Sequence, residues 1–269
     1  MQHWYDISTV YAVAGLIVGI LVGLTGTGGG SLMTPVLLFF GVPPLHAIGT
    51  DLLYNAITKV VGTLVHGFKG TIDWPVVARL AAGSVPAAVA TLLLLAFFQG
   101  YQIAIAQVIN FTLGAAVLVT AVSVMFRPWI LSHFARRGVQ LDAPVSPLLP
   151  VALGAILAVV VTLSSVGAGA IGVTALLLLY PAMPMGRLIG TDIAHAVPLA
   201  CIASIGYGLQ GNIDWPLLVS LLTGSLPGIV IGSLISPRIP DAVIRPLLAG
   251  ILLVIGAWLV GVRRLVVHT

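Results

Sequence analysis

The chain has 269 residues, 59% of them hydrophobic and only 7% charged. Soluble domains carry about 25% charged residues, so this composition excludes a water-soluble enzyme or binding module and requires an integral membrane protein. The net charge of +4 is too small and scattered to suit nucleic acid, and its use lies in reading orientation.

Met1–Asp6 lacks a basic n-region, so no cleavable signal peptide is expected. The first apolar run, about Val10 to Leu24, ends in Thr25-Gly26-Thr27-Gly28-Gly29-Gly30-Ser31, and apolar sequence resumes from Leu32 to Gly41. Each of these glycines costs a helix about 1 kcal/mol relative to Ala. The expectation is a broken helix, or one that turns back inside the membrane, its backbone satisfied by protein or a water-filled cavity. A second span follows from about Ile48 to Gly67. Lys69–Asp73 forms a polar turn, Trp74-Pro75 opens a third span to about Phe98, and a fourth covers about Ile103 to Phe126. Arg127–Pro147 is the most polar segment and reads as a linker.

The second half repeats this plan. Gly49-Thr50-Asp51 through Gly70-Thr71-Ile72-Asp73-Trp74-Pro75 returns 141 residues later as Gly190-Thr191-Asp192 through Gly211-Asn212-Ile213-Asp214-Trp215-Pro216 (Asp51 to Asp192, Asp73 to Asp214). The same offset pairs Gly26 with Gly167, Gly28 with Gly169, Pro43 with Pro184, Gly83 with Gly224, Ser84 with Ser225 and Pro86 with Pro227. Matches of Gly, Pro, Asp and Trp at one offset are hard to obtain by chance, so the expected fold is all-α with two homologous halves. The division is a first transmembrane repeat at 1–126, the linker at 127–147 and a second repeat at 148–269. Eight spans result if each Gly-broken pair crosses once, and ten if both pieces cross. The basic linker and basic C-terminus both favour the cytoplasm; four crossings between them satisfy this with parallel repeats and favour about eight spans, whereas five invert them and give up to ten.

The Gly breaks at corresponding places point to a transporter's binding site at the repeat interface. Freed N–H groups there suit an anion, which nominates Gly26, Thr27, Gly28, Gly29, Gly167 and Gly169; close packing of small residues is the rival reading. Lys59 lies inside the second span, roughly 12 Å deeper than Asp51. It is placed to attract an anion or to pair with a carboxylate; its counterpart is Ala200. Asp51 and Asp192 read as N-cap neighbours of Thr50 and Thr191, or as carriers of a coupling proton or cation. His195 shares a helix face with Asp192; it reads either as a group that titrates near neutrality and serves coupling or as a satisfied buried histidine. Asp73 and Asp214 read as helix caps, His66 as interfacial, and the lone Cys201 as a small core residue. No catalytic motif, multi-cysteine metal site or cofactor fingerprint is recognised.

The paired Gly breaks, Gly-Thr-Asp, His66-Gly-Phe-Lys-Gly-Thr-Ile-Asp-Trp74 and Gly-Ser-x-Pro together resemble the sulfite exporter TauE/SafE family of membrane permeases. The resemblance covers nearly the whole chain. It implies a bacterial inner-membrane transporter, not an enzyme, that moves sulfite, organosulfonates or related anions, commonly outward. Protons or another coupling ion would serve as partners, and oligomers are open. A cation or metal permease using Asp51 and Asp192 is the alternative, and a membrane-embedded enzyme a more distant one.

Overall fold

The computed structural model describes residues 8–25, 32–98, 102–137, 146–167, 169–235 and 241–266. Among them the chain forms ten helices and no strand. They are α1 (Thr9–Thr25), α2 (Met33–Phe39), α3 (Pro44–Phe68), α4 (Trp74–Phe97), α5 (Gln102–Arg137), α6 (Leu148–Ser164), α7 (Ala170–Leu179), α8 (Met185–Leu209), α9 (Trp215–Ile235) and α10 (Asp241–Val266). Trp74–Phe97, Gln107–Phe126, Met185–Leu209 and Trp215–Ile235 are long and apolar enough to cross a bilayer. Phe68, Phe97, Leu93, Leu209, Leu234 and Val254 lie bare on the outside. Water does not tolerate so wide an apolar surface, whereas lipid does. The expected class, an all-helical membrane protein, is what the fold shows.

Helix starts follow local chemistry. Asp73 Oδ1 accepts the Val76 N–H at 3.2 Å, and Asp214 Oδ1 accepts the Leu217 N–H at 3.0 Å, so both are N-caps as expected. Pro75 and Pro216 follow in the first turn, where the missing N–H costs nothing. The N-cap reading of Asp51 and Asp192 is overturned. Pro44 and Met185, each after a proline, start α3 and α8 earlier than Ile48 and Ile189, which leaves both carboxylates inside their helices. Thr50 and Thr191 cap the opposite half instead. Thr50 Oγ1 accepts the Asp214 N–H and Thr191 Oγ1 accepts the Asp73 N–H, each at 3.0 Å. α5 also runs on to Arg137, so the segment read as a linker begins as helix. Asp214→Ala should cost about 1 kcal/mol, read as a lowered melting temperature in detergent. Asp73→Ala should cost little more, because its ion pair with Arg187 is exposed.

Each major packing partner lies in the other half: α1 on α9, α4 on α6, α3 on α8, α5 on α10. Gly15, Gly19 and Gly23 of α1 meet the backbone at Leu221, Ser225 and Ile229 in that order, so α1 and α9 run parallel. Gly83 on α4 and Gly154 on α6 form the same kind of contact. The α3–α8 pair is different. Gly49, early in α3, abuts Asn212 beyond the end of α8; Gly190, early in α8, abuts Thr71 beyond the end of α3. These two helices are antiparallel. That goes against the parallel arrangement favoured by the basic segments. Charge bias in loops is a statistical preference, while glycine-to-backbone contacts admit only one direction.

Candidate functional site

Asp51, Asn55 and Lys59 follow one another at four-residue steps and so line one face of α3. All three are buried, at 0%, 7% and 6% exposure, which makes this an interior polar stripe. Asp51 Oδ2 accepts the Thr34 N–H at 3.2 Å and the Thr34 hydroxyl at 2.5 Å. Asn55 Nδ2 donates to Asp51 Oδ1 at 2.9 Å and reaches Ser165 Oγ of the second half at 3.4 Å. One carboxylate thus ties α2, α3 and the end of α6 together.

Ser165 begins the break of the second half. It is the one described non-glycine residue with positive φ (56°), and Gly167 (118°) and Gly169 (135°) follow. L side chains rarely adopt such backbone, which is why glycine recurs here. The freed groups find partners inside the protein, as membrane depth demands. Tyr207 Oη donates to the Thr162 carbonyl at 2.9 Å, Ser164 Oγ accepts the Val166 N–H at 3.1 Å, and the Gly172 N–H reaches the Gly167 carbonyl at 3.0 Å. A broken helix was expected here and is found. Gly26, Thr27, Gly28 and Gly29, nominated for the other break, lie outside the described residues.

Asp192 is 2% exposed and lies against Gly172 of α7, where any Cβ would overlap Oδ1. His195, also buried, sits with Nε2 3.0 Å from Ser84 Oγ on α4. At the corresponding place 141 residues earlier, Tyr54 faces Ser225 on α9. Lys59 is within electrostatic reach of Asp192 and Asp51, and His195 is within reach of Lys59. The structure therefore gathers Lys59, Asp51, Asp192 and His195 into one interior with the Ser165–Gly169 break. His66, expected at the interface, is half-buried near the end of α3 and bonds Thr71 Oγ1 at 2.8 Å. Sequence reasoning missed Asn55, although its i+4 and i−4 relation to Asp51 and Lys59 marked it. Thr34 and Ser165 carried no such signal, because only tertiary folding brings them to Asp51. Among the described residues, no three of His, Cys, Asp and Glu gather as a metal site would need.

Charged groups held this deep in an apolar bundle are costly, which makes them candidates for a functional site. Over residues 11–259 the chain matches the family described as Sulfite exporter TauE/SafE. The chain belongs to the TauE/SafE family. It is 37% identical over 251 residues to the probable membrane transporter protein YjnA of Bacillus subtilis, covering 91% of this chain and 97% of that one. A second B. subtilis protein, the probable membrane transporter YdhB, is 25% identical over 247 residues, covering 88% and 96%. A shorter stretch of 68 residues is 38% identical to the probable membrane transporter MJ0441 of Methanocaldococcus jannaschii, covering 23% and 26%. No solved structure matches. This TauE/SafE member is a multi-pass membrane protein of a transporter family.

Proposed function

We propose that the protein is a secondary transporter, working as an exporter of small sulfur-containing oxyanions such as sulfite or organosulfonates. The observation that carries this reading is the buried Lys59 ammonium, held in the same interior as a Gly-broken helix. An anion entering this interior finds a fixed positive charge and the small, strained backbone of Gly167 and Gly169. The first-half break, with Gly26, Thr27, Gly28 and Gly29, is assigned the equivalent role. Asp51, Asp192 and His195 serve coupling and gating. The antiparallel α3 and α8 support two inverted halves of five helices each, in the bacterial inner membrane, which suits alternating access around a central site. In that arrangement the basic linker and the basic C-terminus face opposite sides. A cation permease would use Asp51 and Asp192 as ligands, but Lys59 acts on both carboxylates and repels a cation.

Counterflow of labelled sulfite in proteoliposomes tests the reading. Wild type should exchange saturably, and Lys59→Ala should lose at least about tenfold in rate, the equivalent of 1.4 kcal/mol in transition-state binding. Exchange surviving in the variant removes Lys59 from the mechanism. Divalent-cation flux in place of sulfite exchange sinks the anion reading.

A further inference from the structure

The antiparallel α3 and α8 are joined at their two ends in the same way. At one end Thr191 Oγ1 of α8 accepts the Asp73 N–H at 3.0 Å, and at the other Thr50 Oγ1 of α3 accepts the Asp214 N–H at 3.0 Å. Each aspartate goes on to cap a helix of its own half, α4 or α9. Beside each threonine a glycine rests on the turn that leads to that aspartate, Gly190 on Thr71 and Gly49 on Asn212. Each joint therefore ties one half to the other.

One turn before the threonine the likeness stops. Arg187 lies four residues before Thr191, on the same face of α8, and its Nη2 donates to Asp73 Oδ2 at 3.1 Å. A single turn of α8 thus holds Asp73 by its backbone N–H and by its carboxylate. The residue four before Thr50, 141 positions from Arg187, is His46. An imidazole reaches less far than a guanidinium, and among the described residues neither His46 nor Asp214 takes part in an ion pair. The neighbouring turn follows the same pattern, with Lys69 at the first end and Gln210 in its place at the second. The first joint has a charge-assisted bond that the second lacks.

We propose that Arg187 and Asp73 latch one end of the interface between the halves, so that the end with His46 and Asp214 opens more readily and the resting protein faces that side. This rests on the reading of two inverted halves that move against each other, and not on what they carry. Opening the first end breaks the threonine bond, lifts a glycine off its turn and separates an ion pair. Opening the second breaks the threonine bond and the glycine contact alone. The side chains of Arg187 and Asp73 are 47% and 20% exposed, so water screens the pair and its hold is modest. It biases the two ends by about two- to fivefold. A bias of that size favours one orientation without locking out the other, as a cycling transporter requires.

Ile72 and Ile213, one buried and one half-buried, stand just before the two aspartates and report on each end. In a Cys201→Ala background, Ile72→Cys and Ile213→Cys each give the purified full chain one thiol. Its rate of reaction with a water-soluble methanethiosulfonate in detergent, at about pH 8 where histidine is ordinarily neutral, measures how often that end opens. Arg187→Gln should speed the reaction of Ile72→Cys by about two- to fivefold and leave that of Ile213→Cys no faster. His46→Arg supplies the missing guanidinium and should slow Ile213→Cys by a similar factor. About 1 M salt, which screens charges beyond about 3 Å, should speed Ile72→Cys with Arg187 present and not in Arg187→Gln, a test that needs no substitution at the latch. An Ile72→Cys rate unmoved by Arg187→Gln or by salt overturns the latch. A rise at both cysteines in Arg187→Gln overturns it too, because it marks a loosened fold. An Ile213→Cys rate unmoved by His46→Arg overturns the likeness of the two ends. Absence of reaction at both ends short of denaturation overturns the moving halves beneath the proposal, and no outcome here depends on sulfite.

Discussion

Lys59→Ala should destabilise the folded protein by about 3–5 kcal/mol, and adding Asp192→Asn should recover most of that loss. The first number is the usual effect of removing one partner from a buried charge pair, which leaves the other charge desolvated without compensation. Asp192 is 2% exposed, so water cannot take over from the ammonium. For a chain of this size each kcal/mol moves the melting temperature by about 2–4 °C. The single variant should therefore melt on the order of 10 °C below wild type in detergent, followed by tryptophan fluorescence. Asparagine is neutral and close in shape to aspartate, so the double variant keeps the packing against Gly172 and removes the stranded charge. Lys59→Ala with Asp51→Asn should recover less, since Asp51 has Thr34 and Asn55 as hydrogen-bond donors besides the ammonium. If the Asp192 double variant melts no higher than Lys59→Ala alone, Lys59 stabilises the fold through its aliphatic stem and not through its charge. The rescued protein also sharpens the transport test, because it is folded and still lacks the cation. Its sulfite exchange should remain lost.

Much of this was legible in the sequence because bilayers make polar residues conspicuous. Asp73 and Asp214 declared themselves as caps through the Trp-Pro that follows, and Gly167 and Gly169 marked a break that the structure places between α6 and α7. Lys59, Asp192 and His195 stood out as ionisable residues within apolar runs, and all three are buried. Other features were hidden for physical reasons. A start near Ile48 is too late for α3, because Pro at a first helical turn is a starter and the helix begins at Pro44. That error turned Asp51 from an interior residue into a cap. The direction of one half relative to the other could not be read from basic loops. It is set by where Gly49 and Gly190 dock, and a glycine in a sequence does not say which backbone it will touch. Ser165 carries no distinguishing signal in the sequence, although its hydroxyl meets Asn55 of the opposite half.

Gly228→Leu should leave little correctly folded protein, with a loss of about 3 kcal/mol or more. On α9, Gly224, Gly228 and Gly232 recur every four residues and face Ala12, Leu16 and Ile20; on α1, Gly15, Gly19 and Gly23 recur likewise and face α9 in return. Two glycine stripes therefore lie against each other, and a Cβ at Gly228 would overlap the Leu16 carbonyl. Lipid offers helices no hydrophobic reason to associate, so such pairs are held by close van der Waals contact and small residues at the seam. A leucine there pushes the helices apart along the whole seam, since no flexible side chain can give way to it. Gly250, on α10, has open space where its Cβ would go. Gly250→Ala should be neutral or stabilising by up to about 1 kcal/mol through helix propensity alone. Size-exclusion profiles of fluorescent fusions compare the two directly. A Gly228→Leu protein that elutes and melts as wild type would mean that α1 and α9 do not touch through these glycines. The consequence bears on the proposed site, because α1 precedes the glycine run of the first half in the chain while resting on a helix of the second. α1 and α6 thus each rest on a helix of the opposite half, so a motion of one half against the other shifts Ser165 relative to Asn55 and Asp51.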